Sequence, residues 1–195
     1  MRIVLATRNA GKLREVRAIL ADRPLEVLPL PDSVELPPEG AMYEANAIDK
    51  AVAAARATGH IAIADDSGLE VDALGGAPGP LSARYGPNDP ARIARMLAQL
   101  ADVPDPGRGA RFVCVAAWAT PDGRTGTARG ICEGRILRAT TGAGGFGYDP
   151  IFGIGVGSEL RSMAQLPTAE KNVLSHRGRA FRALIAGMPG IGERR

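Results

Sequence analysis

The chain is predicted to form an α/β fold with a mixed central sheet flanked by helices, and three features of its 195 residues carry that expectation. Short apolar runs of strand length alternate with amphipathic helical segments over the first half, the pattern of a parallel sheet. Two long strand-like runs, 111–119 and 124–136, flank Pro121-Asp122-Gly123, a hairpin signal that adds antiparallel pairing. No internal repeat or separating linker interrupts the pattern, so residues 1–195 read as a single domain or as two lobes sharing a sheet.

The elements follow in order. Ile3–Ala6 reads as a strand, Thr7 to Gly11 as a loop, and a helix from about Lys12 carries Leu13, Val16 and Leu20 at helical spacing. Leu25–Leu28 reads as a second strand and the proline-rich stretch from Pro29 to Gly40 as a loop. A helix from Tyr43 to Ala57 is expected to carry Ile48, Ala51, Val52 and Ala55 on its apolar side. Ile61 to Ala64 reads as a buried strand that Gly68 ends with a turn, followed by a short strand at Leu69–Val71. Further on come a Gly/Pro loop at Leu74–Gly79, a helix at Ala91–Leu100, the hairpin, and a glycine-rich loop from Gly142 to Asp149. One last helix is expected from Thr168 to Met188.

Composition excludes several classes. A net charge of +3 is too small for a nucleic-acid footprint, yet leaves an anionic small molecule welcome. No apolar run approaches membrane-spanning length, and Met1 leads directly into a strand, so no signal peptide is expected. Cys114 and Cys132 have neither CxxC nor metal-ligand spacing, which predicts reduced thiols and a cytoplasmic protein.

The candidate chemistry begins at Asp65-Asp66-Ser67-Gly68. Neighbouring side chains on a strand point to opposite faces, so only one of the two carboxylates follows the core direction. Adjacent acids repel unless a cation or shared proton relieves them, which leaves a metal site and a solvated turn cap equally open. Of 24 basic residues only Lys12, Lys50 and Lys171 are lysine. Lys12 follows a strand–helix loop whose backbone N–H groups suit an anion. Asn46 and Lys50 share one helix face, which reads by itself as solvated. In the loop Gly142 to Asp149 the glycines permit close approach to a flat ligand, and Phe146 or Tyr148 offers a stacking surface. Arg177 lies on the apolar stripe between Leu174 and Phe181; either Gly178 breaks the helix or Arg177 meets an anionic or acceptor-rich partner.

Seven segments in fixed order then carry a family resemblance: Ala6-Thr-Arg-Asn-Ala-Gly-Lys12, Asn46-Ala-Ile-Asp-Lys-Ala51, Ala64-Asp-Asp-Ser-Gly-Leu69, Gly75-Gly-Ala-Pro-Gly79, Ser82-Ala-Arg-Tyr85, Gly144-Gly-Phe-Gly-Tyr-Asp-Pro-Ile-Phe152 and Ser175-His-Arg-Gly178. The series resembles the inosine triphosphate pyrophosphatase family over nearly the whole chain. The resemblance implies two lobes with the nucleotide site in the cleft between them. It also implies hydrolysis of dITP, ITP and XTP to the monophosphate and pyrophosphate, which cleanses the nucleotide pool. Mg²⁺ as cofactor, a cytoplasmic homodimer, and no stable nucleic-acid or membrane partner belong to the same expectation.

Residue by residue, Thr7, Arg8, Asn9, Ala10, Gly11 and Lys12 match the family's phosphate-contacting loop. Asp66 matches its proton acceptor and metal ligand, with Ser67 beside it on substrate and Asp65 in support. Lys50 matches a triphosphate contact. Phe146, Gly147, Tyr148 and Asp149 match the base-binding loop, and Lys171, His176 and Arg177 match the remaining nucleotide contacts. Arg177 and nearby backbone N–H groups are expected to donate to a 6-keto oxygen. The chain departs from the family pattern at one point. The glutamates of the family's Glu-x-Gly and Glu-Asn-Ala are displaced by one residue, to Glu39 and Glu44, and either is a candidate for the second metal-side acid.

Overall fold

The computed structural model describes residues 1–188. Its strands are β1 (Arg2–Leu5), β2 (Glu26–Pro29), β3 (Ala62–Val71), β4 (Pro78–Gly79), β5 (Gly109–Ala119), β6 (Thr125–Ile136), β7 (Phe152–Ile154) and β8 (Arg161–Ser162). Its helices are α1 (Ala10–Ile19), α2 (Tyr43–Thr58), α3 (Asp89–Gln99), α4 (Thr168–Leu174) and α5 (His176–Ala186). The strands form one eight-stranded sheet in the order β2-β1-β3-β5-β6-β7-β8, with β4 paired to β3 off this path. β1 is parallel to β2 and β3, whereas β3–β4, β6–β7 and β7–β8 are antiparallel, so the sheet is mixed as the sequence predicts.

The chain divides into two compact units. The first comprises Met1–Asp66, Cys114–Ile131 and the described residues from Asn172 on; the second comprises Ser67–Val113 and Cys132–Lys171. In the first unit the strands alternate strictly between two cores. Ile3, Leu5, Ile63, Cys114, Ala116 and Trp118 pack with Val16 and Ile19 of α1 and with Phe181 and Leu184 of α5. Their neighbours Val4, Ala62, Ala64, Val115, Ala117 and Ala119 pack with Ala47, Ala51, Ala54 and Ala55 of α2. Alanine on both sides of this second interface lets α2 lie close to the strands. Burial on both faces explains why these strands read as continuous apolar runs. In the second unit the Phe112 and Phe152 rings meet at 4.4 Å between centroids, and the buried Arg108 donates to the carbonyls of Leu100, Ile136 and Leu137.

Three expectations need correction. Gly68 makes no turn: β3 is continuous from Ala62 to Val71, because Leu69 and Glu70 go on to pair with Gly79 and Pro78 of β4. The buried face of α2 is Asn46, Ala47, Lys50, Ala51, Ala54 and Ala55, so Ile48 and Val52 are only partly covered. The last helix is two, because the Ser175 hydroxyl caps α5 by accepting from the Gly178 N–H at 3.0 Å. Gly178 thus lies inside the first turn of α5, where a Cβ would stand 1.9 Å from the Asn172 carbonyl oxygen.

Candidate active site

The strand period sends the two acids of β3 to opposite faces. Asp65, like Ile63, faces the α1/α5 side; Asp66, like Ala62 and Ala64, faces α2. Both are almost fully buried, at 2% and 4% exposure. Buried carboxylates need partners, and each face supplies its own set.

On the Asp65 face, Oδ2 lies 3.0 Å from Lys12 Nζ and accepts from Nε and Nη2 of Arg177, each at 3.3 Å. Arg177 Nη1 also donates to Glu15 at 2.6 Å. The core-facing arginine anticipated from the sequence therefore meets carboxylates. Burial works against its charged form, but Asp65 and then Glu15 outweigh that and hold its pKa above the ordinary value. His176, the first residue of α5, is buried beside it in the chain. The backbone there is tightly fitted, since a Cβ on Gly130 would stand 2.1 Å from the His176 carbonyl oxygen.

On the Asp66 face, Oδ2 accepts from Asn46 Nδ2 at 2.7 Å and Oδ1 lies 3.9 Å from Lys50 Nζ. Lys50 in turn donates to Glu39 Oε1 at 2.5 Å. Asn46 and Lys50 sit one helical turn apart on α2, which is why both reach β3; the solvated face expected for them is a buried one. Burial raises the Asp66 pKa above 3.8, against the lowering effect of Asn46 and Lys50. The choice between the two glutamates follows from geometry. Glu39 joins this cluster through Lys50, whereas Glu44 accepts from the Thr127 hydroxyl at 2.9 Å.

The loop before α1 is held in place at several points. Asn9 caps the helix by accepting from the N–H groups of Gly11 and Lys12 at 2.8 and 3.1 Å, and Thr7 accepts from Asn9 N at 3.2 Å. Two of the N–H groups that the sequence offers to an anion are thus engaged by the cap. Arg8 donates to Asp32 and to the carbonyls of Leu30, Pro31 and Val34, which fastens the β2–α2 loop beside it. Ala10 is exposed at the start of α1.

The glycine-rich loop belongs to the second unit and is organised by acids. Asp149 accepts from the Phe146 N–H at 2.8 Å and from Lys171 Nζ at 2.7 Å. Gly147 donates its N–H to Asp89 at 2.8 Å. Gly145 has φ +73°, and a Cβ there would stand 2.0 Å from Asp149 Oδ2, so glycine is required. Tyr148 is buried and donates its hydroxyl to the Ser82 carbonyl at 3.0 Å, and burial raises its pKa. Phe146 is half-buried, with the Lys171 ammonium 5.4 Å from its ring centroid. Of the two aromatics, Phe146 has the more accessible ring. Ser67, next to Asp66 on β3, is half-buried.

Three residues of these clusters lie outside the set of functional residues read from the sequence: Glu15, Asn46 and Asp89. Their signals were faint. Glu15 lies one helical step from Lys12 and Asn46 one turn from Lys50, but their partners are 162 and 20 residues away.

Among the described residues, no group of three or more His, Cys, Asp or Glu side chains is arranged to hold a metal alone. Mg²⁺ binds through one or two carboxylates together with phosphate oxygens and water. Asp66 and Glu39, two hard oxygen donors gathered around Lys50, fit that requirement.

Comparison with known proteins identifies the family. The sequence model of the Ham1 family matches residues 3–187. A dITP/XTP pyrophosphatase of a Nostoc species is 49% identical over 190 residues, covering 97% of this chain and 95% of that protein. One from Streptomyces coelicolor is also 49% identical, covering 94% and 95%. Among solved structures, a Ham1 protein from Coxiella burnetii superposes with a TM-score of 0.82 at 41% identity, covering 94% of this chain and 96% of the other. A nucleoside-triphosphatase / dITP/XTP pyrophosphatase from Mycobacterium abscessus gives 0.72 at 44% identity, covering 96% and 100%. With the family's sequence pattern running from the first strand to the last helix, the chain belongs to the Ham1 family.

Proposed function

We propose that this protein hydrolyses non-standard purine nucleoside triphosphates, dITP, XTP and ITP, to the monophosphate and pyrophosphate. The observation that carries the reading is the buried Asp66 carboxylate, hydrogen-bonded by Asn46 and flanked by Lys50 and Glu39. Its chain is 49% identical to proteins named dITP/XTP pyrophosphatase.

In this mechanism Asp66 orients a water molecule and takes its proton as the water attacks the α-phosphorus in line. The bond from the α-phosphorus to the bridging oxygen breaks, and pyrophosphate leaves with the charge that Lys12 and Lys50 stabilise. No covalent intermediate is required. Mg²⁺, held by Asp66 and Glu39 when bound, supplies a Lewis acid that neutralises phosphate charge.

The loop Thr7 to Lys12 contacts the phosphates in this reading, and Ser67 lies on substrate. Phe146 stacks on the purine while Gly147, Tyr148 and Asp149 shape the loop around it, and Lys171, oriented by Asp149, contacts the nucleotide together with His176. Arg177 is read as a nucleotide contact whose guanidinium Asp65 and Glu15 orient. A single domain with its nucleotide site between two lobes, a homodimeric state, a cytoplasmic location and the absence of nucleic-acid or membrane partners complete the reading. The site between the lobes and the homodimer rest on the family resemblance; the other three rest also on the composition and pattern of the sequence.

The test is product release from dITP, ITP, XTP, dUTP and the four common triphosphates in the presence of Mg²⁺. Pyrophosphate is expected from the first three. Orthophosphate in its place would overturn attack at the α-phosphorus. Preference for dUTP would move the substrate class to pyrimidines, and binding without turnover would make the protein a nucleotide sensor.

A further inference from the structure

We propose that Asn46 is a positioning residue, one that selects the working oxygen of Asp66 and ties the Glu39 loop to it; the proposal rests on Asp66 as the catalytic acid.

Asn46 lies in α2 at 4% exposure, and its carboxamide makes three hydrogen bonds. Nδ2 donates to Asp66 Oδ2 at 2.7 Å and to the Gly40 carbonyl at 3.1 Å. Oδ1 accepts from the Gly40 N–H at 2.6 Å. An asparagine amide has two donor protons, and both are used. Its orientation is not free either. The Gly40 N–H can only meet an oxygen, which places the carbonyl on the loop side and the amino group on Asp66.

Two consequences follow for the acids. Asn46 holds Asp66 through Oδ2 and so turns Oδ1 toward Lys50, the side on which the proposal places water and cation. Gly40 directly follows Glu39, whose carboxylate meets Lys50 at 2.5 Å. One carboxamide therefore fastens the loop, α2 and β3 together, and the two carboxylates converge on one lysine because of it. No other side chain serves both needs. Aspartate keeps the acceptor for Gly40 but sets a like charge against Asp66, and an apolar residue leaves both groups without a partner.

The experiment compares Asn46→Asp, which keeps the acceptor for Gly40 but replaces the donor to Asp66 with a like charge, with Asn46→Ala, which removes the whole connection. Alanine suits a helix interior, so the second variant remains informative where the first does not fold. Readouts are kcat and KM for dITP, the melting temperature, and the Kd of a non-hydrolysable α,β-methylene ITP measured by calorimetry.

A positioning role predicts a kcat lower by about 10- to 100-fold, as for partners that orient metal-site ligands. KM and Kd should then move by less than about threefold. A kcat within about twofold of the parent overturns the proposal. So does a parallel loss of kcat, KM, Kd and melting temperature, which would give Asn46 a purely structural role. Asp66→Asn is assayed alongside. If it stays active, the role of Asp66 itself is wrong and Asn46 falls with it. If it is dead while Asn46→Asp is fully active, the positioning role alone fails.

Discussion

The acid cluster on β3 and the glycine-rich loop before Pro150 both bury paired charge but differ in how much of the backbone path is set locally. Asp66 is held by Asn46 and lies near Lys50, both from α2, with Glu39 coming from a separate loop; Asp65 is held by Lys12 of α1 and Arg177 of α5. Every one of those contacts closes a long stretch of chain. The loop from Gly142 to Asp149 adds local contacts to its long-range ties to Lys171, Asp89 and Ser82. Asp149 accepts from the N–H three residues before it, and left-handed glycines at 142, 145 and 147 set the path. Long-range assembly lets charges be buried in pairs, which tunes a carboxylate for chemistry. In the loop the buried Asp149–Lys171 pair serves instead to fix the backbone at Phe146 and so the position of an aromatic face. The first region is suited to the phosphate reaction and the second to recognising a flat base.

Substitutions can break that contrast, and the largest effect is expected at Asp66. Asp66→Asn should lower kcat by at least about 10²-fold, measured as pyrophosphate release. The same change should raise the melting temperature at neutral pH. Burial raises the carboxyl pKa of the folded state above 3.8, so the folded protein binds the proton more tightly than the unfolded chain. Stability from this group is complete below pH 3.8 and is lost as pH rises through the folded pKa. Asparagine, being neutral, avoids that loss, and its advantage should vanish in acid. A destabilised Asp66→Asn at pH 7 would contradict the upward pKa shift that burial gives this carboxyl.

Next in size is Glu39→Gln, which should raise the Mg²⁺ concentration for half-maximal rate by about tenfold or more. An unchanged Mg²⁺ titration would remove Glu39 from the metal side. Smaller again is Phe146→Ala, expected to raise KM for dITP by about tenfold, the loss of one stacked base, with kcat nearly unchanged. A fall in kcat instead of a rise in KM would erase the division between the two regions. Glu44→Gln serves as the baseline: its partner is the Thr127 hydroxyl at the surface, so stability should stay within about 0.5 kcal/mol in a denaturant titration.

Much of this was legible without coordinates. The hairpin about Pro121-Asp122-Gly123, the helix after Thr7 to Gly11 and the opposite orientation of Asp65 and Asp66 follow from periods and turn chemistry that act over a few residues. The glycine-rich loop was legible for the same reason. The burial of Asn46 and Lys50 was not, because a polar pair on a helix looks solvated until the strand that buries it is in place. Glu39 and Glu44 were equivalent until the loop closed on Lys50. Gly68 read as a turn because the pairing that keeps it extended comes from Pro78 and Gly79, which follow ten residues later.

By itself the sequence determined the mixed α/β class and the family, since these depend on local periodicity and on motifs in series. Only the tertiary structure decided which glutamate meets Lys50, that Arg177 is balanced by Asp65 and Glu15, and that Asn46 bonds both Gly40 and Asp66. Those outcomes depend on contacts between distant segments. A buried charge accepts whichever partner the fold brings within hydrogen-bond reach, and that distance is not written in the spacing of the residues along the chain.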